Sequence, residues 1–507
     1  MRHVRSSLLL AALFLSSTAL AQSAPAVSTG RASTAAITAA DVHARVAFLA
    51  SDALKGRDTP SPGLEQAAQY IANEFKSFGL RPAGDSGTFI QRWPFESRVL
   101  TATGARALLS NNPLIYAQDF FIIPGQRDSV SGVVRYVGQA SALTAPLPAG
   151  AQGQILAFYI PGDRPEGPWI QTVQSVLPVA FSAQPQAVIL LLDPEFPADQ
   201  IATIATSAAG GDGLPAMVVG VRYDAAKAWF AASGANLDTV RTRVGPDAAP
   251  MPGLNITMVA RPEARSVRPP NVVGILPGSD PVLKDTYVVF SAHMDHVGVG
   301  APNAQGDSIY NGADDDASGT SAVIEVAQAF AALPADQRPK RSLIFLLVSG
   351  EEKGLFGSRY FVDHAPAPID KIVANINIDM IGRNHPDTVV AIGQEYSSLG
   401  PLAQQAAKAQ PSLKLTVAPD LWPQEQLFVR SDHFSFAVKN IPAIFFTTGL
   451  HADYHQPSDE VQTLDTDKVA RIAQLVFQLG KSVATNAEPP QWTEAGKAII
   501  RRASGNE

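Results

Sequence analysis

The sequence predicts an α/β fold in which a mostly parallel central sheet is flanked by helices and interrupted by a β-rich insertion. Three observations predict it. Four largely apolar runs, Tyr287–Phe290, Leu343–Val348, Ile372–Ile378 and Ile441–Phe446, have the texture of strands buried on both faces of a parallel sheet. Helical periodicity recurs beside them, as in Ser318–Leu333 and Asp467–Ala484. Between about 110 and 258 the pattern changes to short β-type runs separated by Gly/Pro loops.

In chain order, Met1–Ala21 has the parts of an export signal. Arg2, His3 and Arg5 give a basic start, Leu8–Leu15 an apolar run, and Ala19-Leu20-Ala21 a small-x-small cleavage site. The run is too short to span a bilayer, so a stable membrane anchor is not expected. With the Ala-rich composition it points to a bacterial periplasmic or secreted protein. Gln22–Ala36 reads as a leader, and 22–109 as leader plus the N-terminal part of the main domain. Thr38–Leu49 and Gly63–Gly79 carry helical spacing, the second with Leu64, Ala67, Ala68, Ile71, Phe75 and Phe78 on one side. The intervening Gly56-Arg57-Asp58-Thr59-Pro60 loop reads either as a connector or as facing substrate. Phe89–Leu109 looks extended. The Pro-rich Arg261–Pro270 is a junction, and 259–507 forms the catalytic domain. Asn271–Gly278 starts a hairpin-like strand that leads to the one before His293.

Composition limits the function classes. A chain of 507 residues with 46% apolar and 17% charged residues is globular and long enough for more than one domain. The net charge of −7 leaves no basic footprint for nucleic acid. Cysteine is absent, so metal ligands must come from His, Asp and Glu, and the core alone stabilises an exported fold.

The chemistry-bearing residues cluster where the strands end, which is where ligands gather in open α/β sheets. Tyr287–Phe290 runs into His293-Met294-Asp295-His296, and Leu343–Val348 into Ser349-Gly350-Glu351-Glu352. Ile372–Ile378 ends in Asp379, and Ile441–Phe446 in a loop carrying His451, Asp453, Tyr454, His455 and Asp459. A tight turn, Asn311-Gly312-Ala313-Asp314-Asp315-Asp316, supplies more carboxylates. One His beside a carboxylate means little; a set of five, His293, Asp315, Glu352, Asp379 and His455, suits zinc in catalytic sites. Five donors with one shared make two three-ligand sites, the clamp used by two-metal aminopeptidases. Cobalt or manganese would suit the same nitrogen–oxygen set.

Glu351 and Glu352 need separate roles, because adjacent side chains leave a strand end in different directions. One ligates; the other faces the attacking water as general base. Asp295 is placed to orient His293, and Asp459 to do the same for His455. His296 reads as a neighbour only. Asp316 reads as a charge at a helix N-terminus. Asp432 and His433 fit either a supporting role or the pocket wall.

At these motifs the chain resembles the secreted co-catalytic zinc aminopeptidases related to glutamate carboxypeptidase and the transferrin receptor. The resemblance rests on His293-x-Asp295, Gly312–Gly319, Gly350-Glu351-Glu352-x-Gly354, Asn377-x-Asp379-Met380 and Tyr454-His455-x-x-Ser458-Asp459. It covers about 260–485 firmly and 38–100 loosely, and the insertion is similar to a protease-associated domain. It implies a zinc exopeptidase-like fold with two zinc ions per chain. Asp315 would bridge them, with His293 and Asp379 on one and Glu352 and His455 on the other. Glu351 would be the base and Asp295 the orienting carboxylate.

The expected function is removal of N-terminal residues from peptides. A carboxypeptidase or dipeptidase of the same fold is the rival, and Arg383 and Arg430 are its candidates for holding a substrate carboxylate. A glutaminyl cyclase-like reaction and a binding protein with a vestigial site are further alternatives.

Overall fold

The computed structural model describes residues 36–503, apart from 111, 141–146, 148, 163–168, 197–200, 203, 206–213, 242–248, 301–302 and 304. The expected signal segment, 1–21, and nearly all of the leader lie outside the described residues. Among the described residues no helix is long and apolar enough to cross a membrane.

Two helices come first, α1 (Ala39–Leu49) and α2 (Pro62–Ser77). Thr38 caps α1 by accepting from the Asp41 amide, and Ser61 caps α2 by accepting from Leu64, with Pro62 at the first helical position. The elements that position the site follow: β1 (Pro270–Leu276), β2 (Tyr287–His293), α3 (Gly319–Ala331), β3 (Ser342–Val348), β4 (Ile372–Ile378), β5 (Thr388–Ile392), β6 (Ala443–Thr447) and α4 (Thr466–Thr485).

The main sheet runs in the order Arg81–Pro82, β1, β3, β2, β4, β6, β5, Thr416–Ala418, with Ile90–Arg92 also paired to β1. Its centre, β3-β2-β4-β6, is parallel, and antiparallel strands are added on both sides. The strand expected to form a hairpin with β2 is displaced. β1 pairs with β3, which lies between β1 and β2. The crossover through α3 lets β3 take the inner place beside β2, as a parallel connection requires.

Both faces of the sheet are covered, which accounts for the apolar runs. Phe290, Phe345, Leu347, Ile376 and Phe446 pack on one face with α1, α2, α3 and α4. Val289, Ile344, Leu346 and Val348 pack on the other with Phe361 and Phe436.

A second, eight-stranded sheet is built from strands between Ala105 and Ala260. Helices Trp169–Ser182 and Tyr223–Ala232 supply side chains to its two faces, so this part of the chain is α/β and not purely β. Its strands Ile155–Ile160, Ala187–Leu192 and Met217–Val221 run parallel, and parallel neighbours need crossovers of this kind. The Pro-rich junction pairs Glu263–Val267 with Phe95–Val99 as a two-stranded ribbon.

Candidate active site

Each expected ligand-type residue leaves an element of the main sheet or a turn packed against it. His293 closes β2, Glu351 and Glu352 follow β3, and Asp379 follows β4. Asp315 sits in the turn before α3, and His455 in the loop after β6. The strands are parallel, so their carboxyl ends open on one edge and bring these residues together.

Asp315 is the centre of the cluster. Its Oδ1 lies 3.2 Å from His293 Nε2, which in turn is 3.5 Å from Asp379 Oδ1. Its Oδ2 lies 3.1 Å from His455 Nε2 and 3.7 Å from His296 Nδ1. His455 Nε2 is also 3.1 Å from Glu352 Oε2, and His296 Nδ1 is 2.8 Å from Glu352 Oε1. Two donor groups result, each with atoms within 4.8 Å of one another: His296, Asp315, Glu352 and His455, and then His293, Glu351 and Asp379. Asp315 turns one oxygen toward each group.

Burial works against a charge on His293 and His455, yet the surrounding carboxylates override it, raising His293 well above the usual imidazole range and His455 to about 10. Burial also raises Asp315, but the imidazoles of His293, His296 and His455 outweigh it and hold the carboxyl well below the ordinary range. Burial and Asp315 push Glu352 up; His296 and His455 bring it down to about 2. Glu351 behaves oppositely. Lost hydration and the nearby Asp432, Glu352 and Asp379 raise it well above a normal glutamate, with His293 opposing. The pocket demands positive charge at its centre and holds one carboxyl beside it that keeps a proton readily.

Several donor atoms here are buried without a hydrogen-bond partner among the described residues: Glu352 Oε1, Asp379 Oδ1, His455 Nε2 and both ring nitrogens of His296. Buried polar atoms are nearly always satisfied. A convergent set of imidazole nitrogens and carboxylate oxygens left this way fits a divalent cation of the zinc class.

The surrounding residues fix the geometry. Asp295 is fully buried; its carboxylate accepts from the Gly350 amide at 2.7 Å and from Thr59 Oγ1 at 2.9 Å. It also reaches the Glu351 amide at 3.4 Å. Its own carbonyl oxygen, not its carboxylate, is the closer partner of His293 Nδ1, at 3.1 Å against 3.7 Å. Asp295 therefore shapes the Gly350–Glu352 turn as well as facing His293. Gly350 has φ +74°, and a Cβ there would lie 2.8 Å from the Trp93 ring. Only glycine lets this turn sit on Trp93.

Asp459, expected to orient His455, instead accepts the backbone amides of Asp314 and Asp315 at 3.1 Å. A short carboxylate facing successive amides satisfies a turn that forms no regular ladder, and it thereby positions Asp315. Asp316 accepts from the Gly319 amide at 2.8 Å, as a charge at a helix start should. It also accepts from His293 N and Met380 N, tying the ends of β2 and β4 to α3.

Three features were not visible as site residues in the sequence. Arg57 is fully buried and donates to the carbonyls of Met294, Asn311 and Gly312, at 2.9, 2.7 and 3.0 Å, and to that of Leu49. Its loop is neither a bare connector nor part of the cavity lining; it braces the segments carrying His293, His296 and Asp315. Asn375 and Asn377, the polar interruptions of β4, belong to a buried relay. Asn375 donates to Ser291, Ser291 to Asn377, Asn377 to Ser431, and Ser431 Oγ to Asp379 Oδ2 at 2.8 Å. The third is His296, which is fully buried within the cluster. His433 is fully buried behind Phe445, on which its ring stacks, and burial lowers it to about 3, which keeps it neutral.

A small cavity of about 50 Å³ opens beside His293, Asp315, Glu351 and Asp379. Met380, Leu427, Phe445, Leu450 and Tyr454 give it an apolar wall, and Arg430 also lines it. Arg383 is engaged elsewhere, paired with Asp453 and donating to Thr463 Oγ1 at 2.7 Å.

Residues 271–480 match the model of peptidase family M28. A glutamate carboxypeptidase 2 homolog of Caenorhabditis elegans is 26% identical over 273 residues, which cover 48% of this chain and 34% of the relative. A probable leucine aminopeptidase of Trichophyton verrucosum is 27% identical over 224 residues, covering 42% of this chain and 58% of the relative. The chain thus spans between a third and three-fifths of the length of these two relatives. Among solved structures, a zinc aminopeptidase from Bacillus subtilis superposes with a TM-score of 0.55 at 17% identity, covering 90% of this chain and 97% of that one. This last likeness is one of fold.

Proposed function

We propose that this chain is a zinc-dependent exopeptidase that removes N-terminal residues from peptides, with two zinc ions per chain. The observation that carries the reading is Asp315, whose two oxygens face two separate groups of ligand-type atoms. His293 and Asp379 would hold one ion, Glu352 and His455 the other, and Asp315 both. Bound zinc would supply Lewis acidity at the scissile carbonyl and lower the pKa of a water. The relatives named as aminopeptidases support the choice of reaction.

The chain's own residues do the rest. Glu351 lines the cavity beside His293 and Asp379. Its carboxylate takes the proton of the attacking water and passes it to the leaving amine. Lost hydration, with like-charged neighbours adding to it, raises its proton affinity, which suits a group that must both accept and release. Asp295 holds the turn that aims Glu351. The small cavity receives one end of a chain, and its apolar wall favours an uncharged terminal side chain. The 1–21 segment would export the enzyme to a periplasm or outside the cell.

Carboxypeptidase or dipeptidase action is the second reading, favoured by one observation: Arg430 lines the cavity. A panel of aminoacyl-nitroanilides and of N-blocked and C-blocked dipeptides, with and without chelator, separates the two. Turnover of C-blocked, free-amine substrates that chelator abolishes is expected. Turnover confined to substrates with a free carboxylate would reject the aminopeptidase reading.

A further inference from the structure

We propose that His296 is a sixth metal ligand, so that the two metal positions are unequal: one closed by four protein side chains, the other held by three and left open. This rests on the two-metal reading above and goes beyond its five residues.

The geometry carries it. Four donors about 2.1 Å from one tetrahedral ion lie about 3.4 Å from one another. Around the His296 side, separations are 2.8 Å from His296 Nδ1 to Glu352 Oε1 and 3.7 Å to Asp315 Oδ2. His455 Nε2 lies 3.1 Å from both Asp315 Oδ2 and Glu352 Oε2. These values bracket the tetrahedral edge. Although His296 Nδ1 and Glu352 Oε1 are close, neither atom forms an aligned hydrogen bond with any described residue. Both residues belong to the group whose ligand-type atoms lie within 4.8 Å of one another.

The ring is built into its place. His296 is fully buried, and its amide donates to the Arg57 carbonyl oxygen at 3.4 Å. A Cβ on Gly312 would lie 2.5 Å from the ring's Cγ and Cδ2, so the glycine, at φ +57°, lets the imidazole lie flat against the turn that presents Asp315. A histidine that served only as packing would not need its Nδ1 directed at two carboxylates in a fully buried site.

The other position has His293 Nε2, Asp315 Oδ1 and Asp379 Oδ1, with Glu351 beside it. Three protein ligands leave room for water or substrate, as catalytic sites require; four close a site in the structural manner. The His296 position should therefore bind metal more tightly, and exchange and chemistry should centre on the Glu351 side.

The test uses cobalt(II) alone as probe on the full, metal-stripped protein. Proton NMR of the protein with two cobalt ions should show three exchangeable, paramagnetically shifted imidazole N–H signals, from His293, His296 and His455. Titration should show two steps of unequal affinity. His296→Gln should retain the native circular dichroism, lose one shifted signal and weaken the tighter step by roughly 10–100-fold or more, since even groups that merely support a ligand are worth that much. Two cobalt ions bound with only two shifted signals in the wild type would overturn the role of His296 and leave the two-metal reading standing. Failure to take up cobalt at all would overturn both.

Discussion

Replacing Glu351 by Gln removes the proposed base and keeps the side-chain volume. General bases contribute about 10²–10⁴ in rate, which at 1.36 kcal/mol per decade is about 3–5 kcal/mol of barrier. The structure adds a second expectation for the metal-free protein. Glu351 is crowded by Asp432, Glu352 and Asp379, and with its lost hydration this raises its proton affinity in the fold. A raised carboxyl pKa means the fold favours the neutral form, so stability falls as pH rises from the unfolded value through the folded one. Gln is neutral throughout. The variant should therefore melt no lower than wild type at pH 8 when both are stripped of metal, and the difference should vanish toward pH 4. The assay is kcat and KM on a free-amine nitroanilide, with melting temperatures at both pH values. The expected result is a kcat reduced by about 10²–10⁴, unchanged zinc content and no loss of stability. A kcat within tenfold of wild type would refute the base assignment, and a large drop in melting temperature at pH 8 would refute the like-charge crowding.

Two further substitutions test the supporting groups. Asp295→Ala leaves the Thr59 hydroxyl without its buried acceptor and the Gly350 amide with only Thr59 Oγ1, at 3.1 Å, to accept from it, a cost of about 1–3 kcal/mol. Urea denaturation should show a loss of about 1–3 kcal/mol, with a fall in kcat; a loss under about 0.5 kcal/mol would contradict the role of Asp295 as a brace for the turn. Asp432 is fully buried, and desolvation raises it to about 7, with Asp295 and Asp379 adding to the effect. Between an ordinary 3.8 and about 7 the fold retains a proton the unfolded chain has lost, so stability declines across that window as pH rises. Metal-stripped Asp432→Asn should be more stable than wild type at pH 8, by up to roughly 4 kcal/mol, and equal to it at pH 4. Greater stability of the wild type at pH 8 would mean that Asp432 is a paired charge.

The sheet was legible because burial on both faces removes alternation, leaving runs such as Leu343–Val348 that only a covered strand explains. Their ends were legible for the same reason: His293, Glu351, Glu352 and Asp379 interrupt the runs abruptly. The position of β1 was not, since which strand lies beside β2 depends on a crossover and not on any local pattern. His296 was missed because its closeness to His293 in sequence made it look redundant. What separates the two is the left-handed Gly312 turn, contributed from 16 residues further along the chain. Asp459 was read correctly as a supporting carboxylate but given the wrong partner. The amides that donate to it lie on a turn more than 140 residues away, and spacing carries no information about that. Asn375 and Asn377 reach Asp379 through Ser291 and Ser431, which lie on other elements, so no local pattern marks the relay that holds it.

The most direct measurement of the central claim is the zinc content of Asp315→Ala beside wild type, after equilibration with a slight excess of zinc and removal of the free metal. If Asp315 joins two metal positions through its separate oxygens, wild type should hold about two ions per chain, and the variant, losing a ligand from each position at once, fewer than about one. A variant that still holds both ions, or a wild type that holds none, would contradict it.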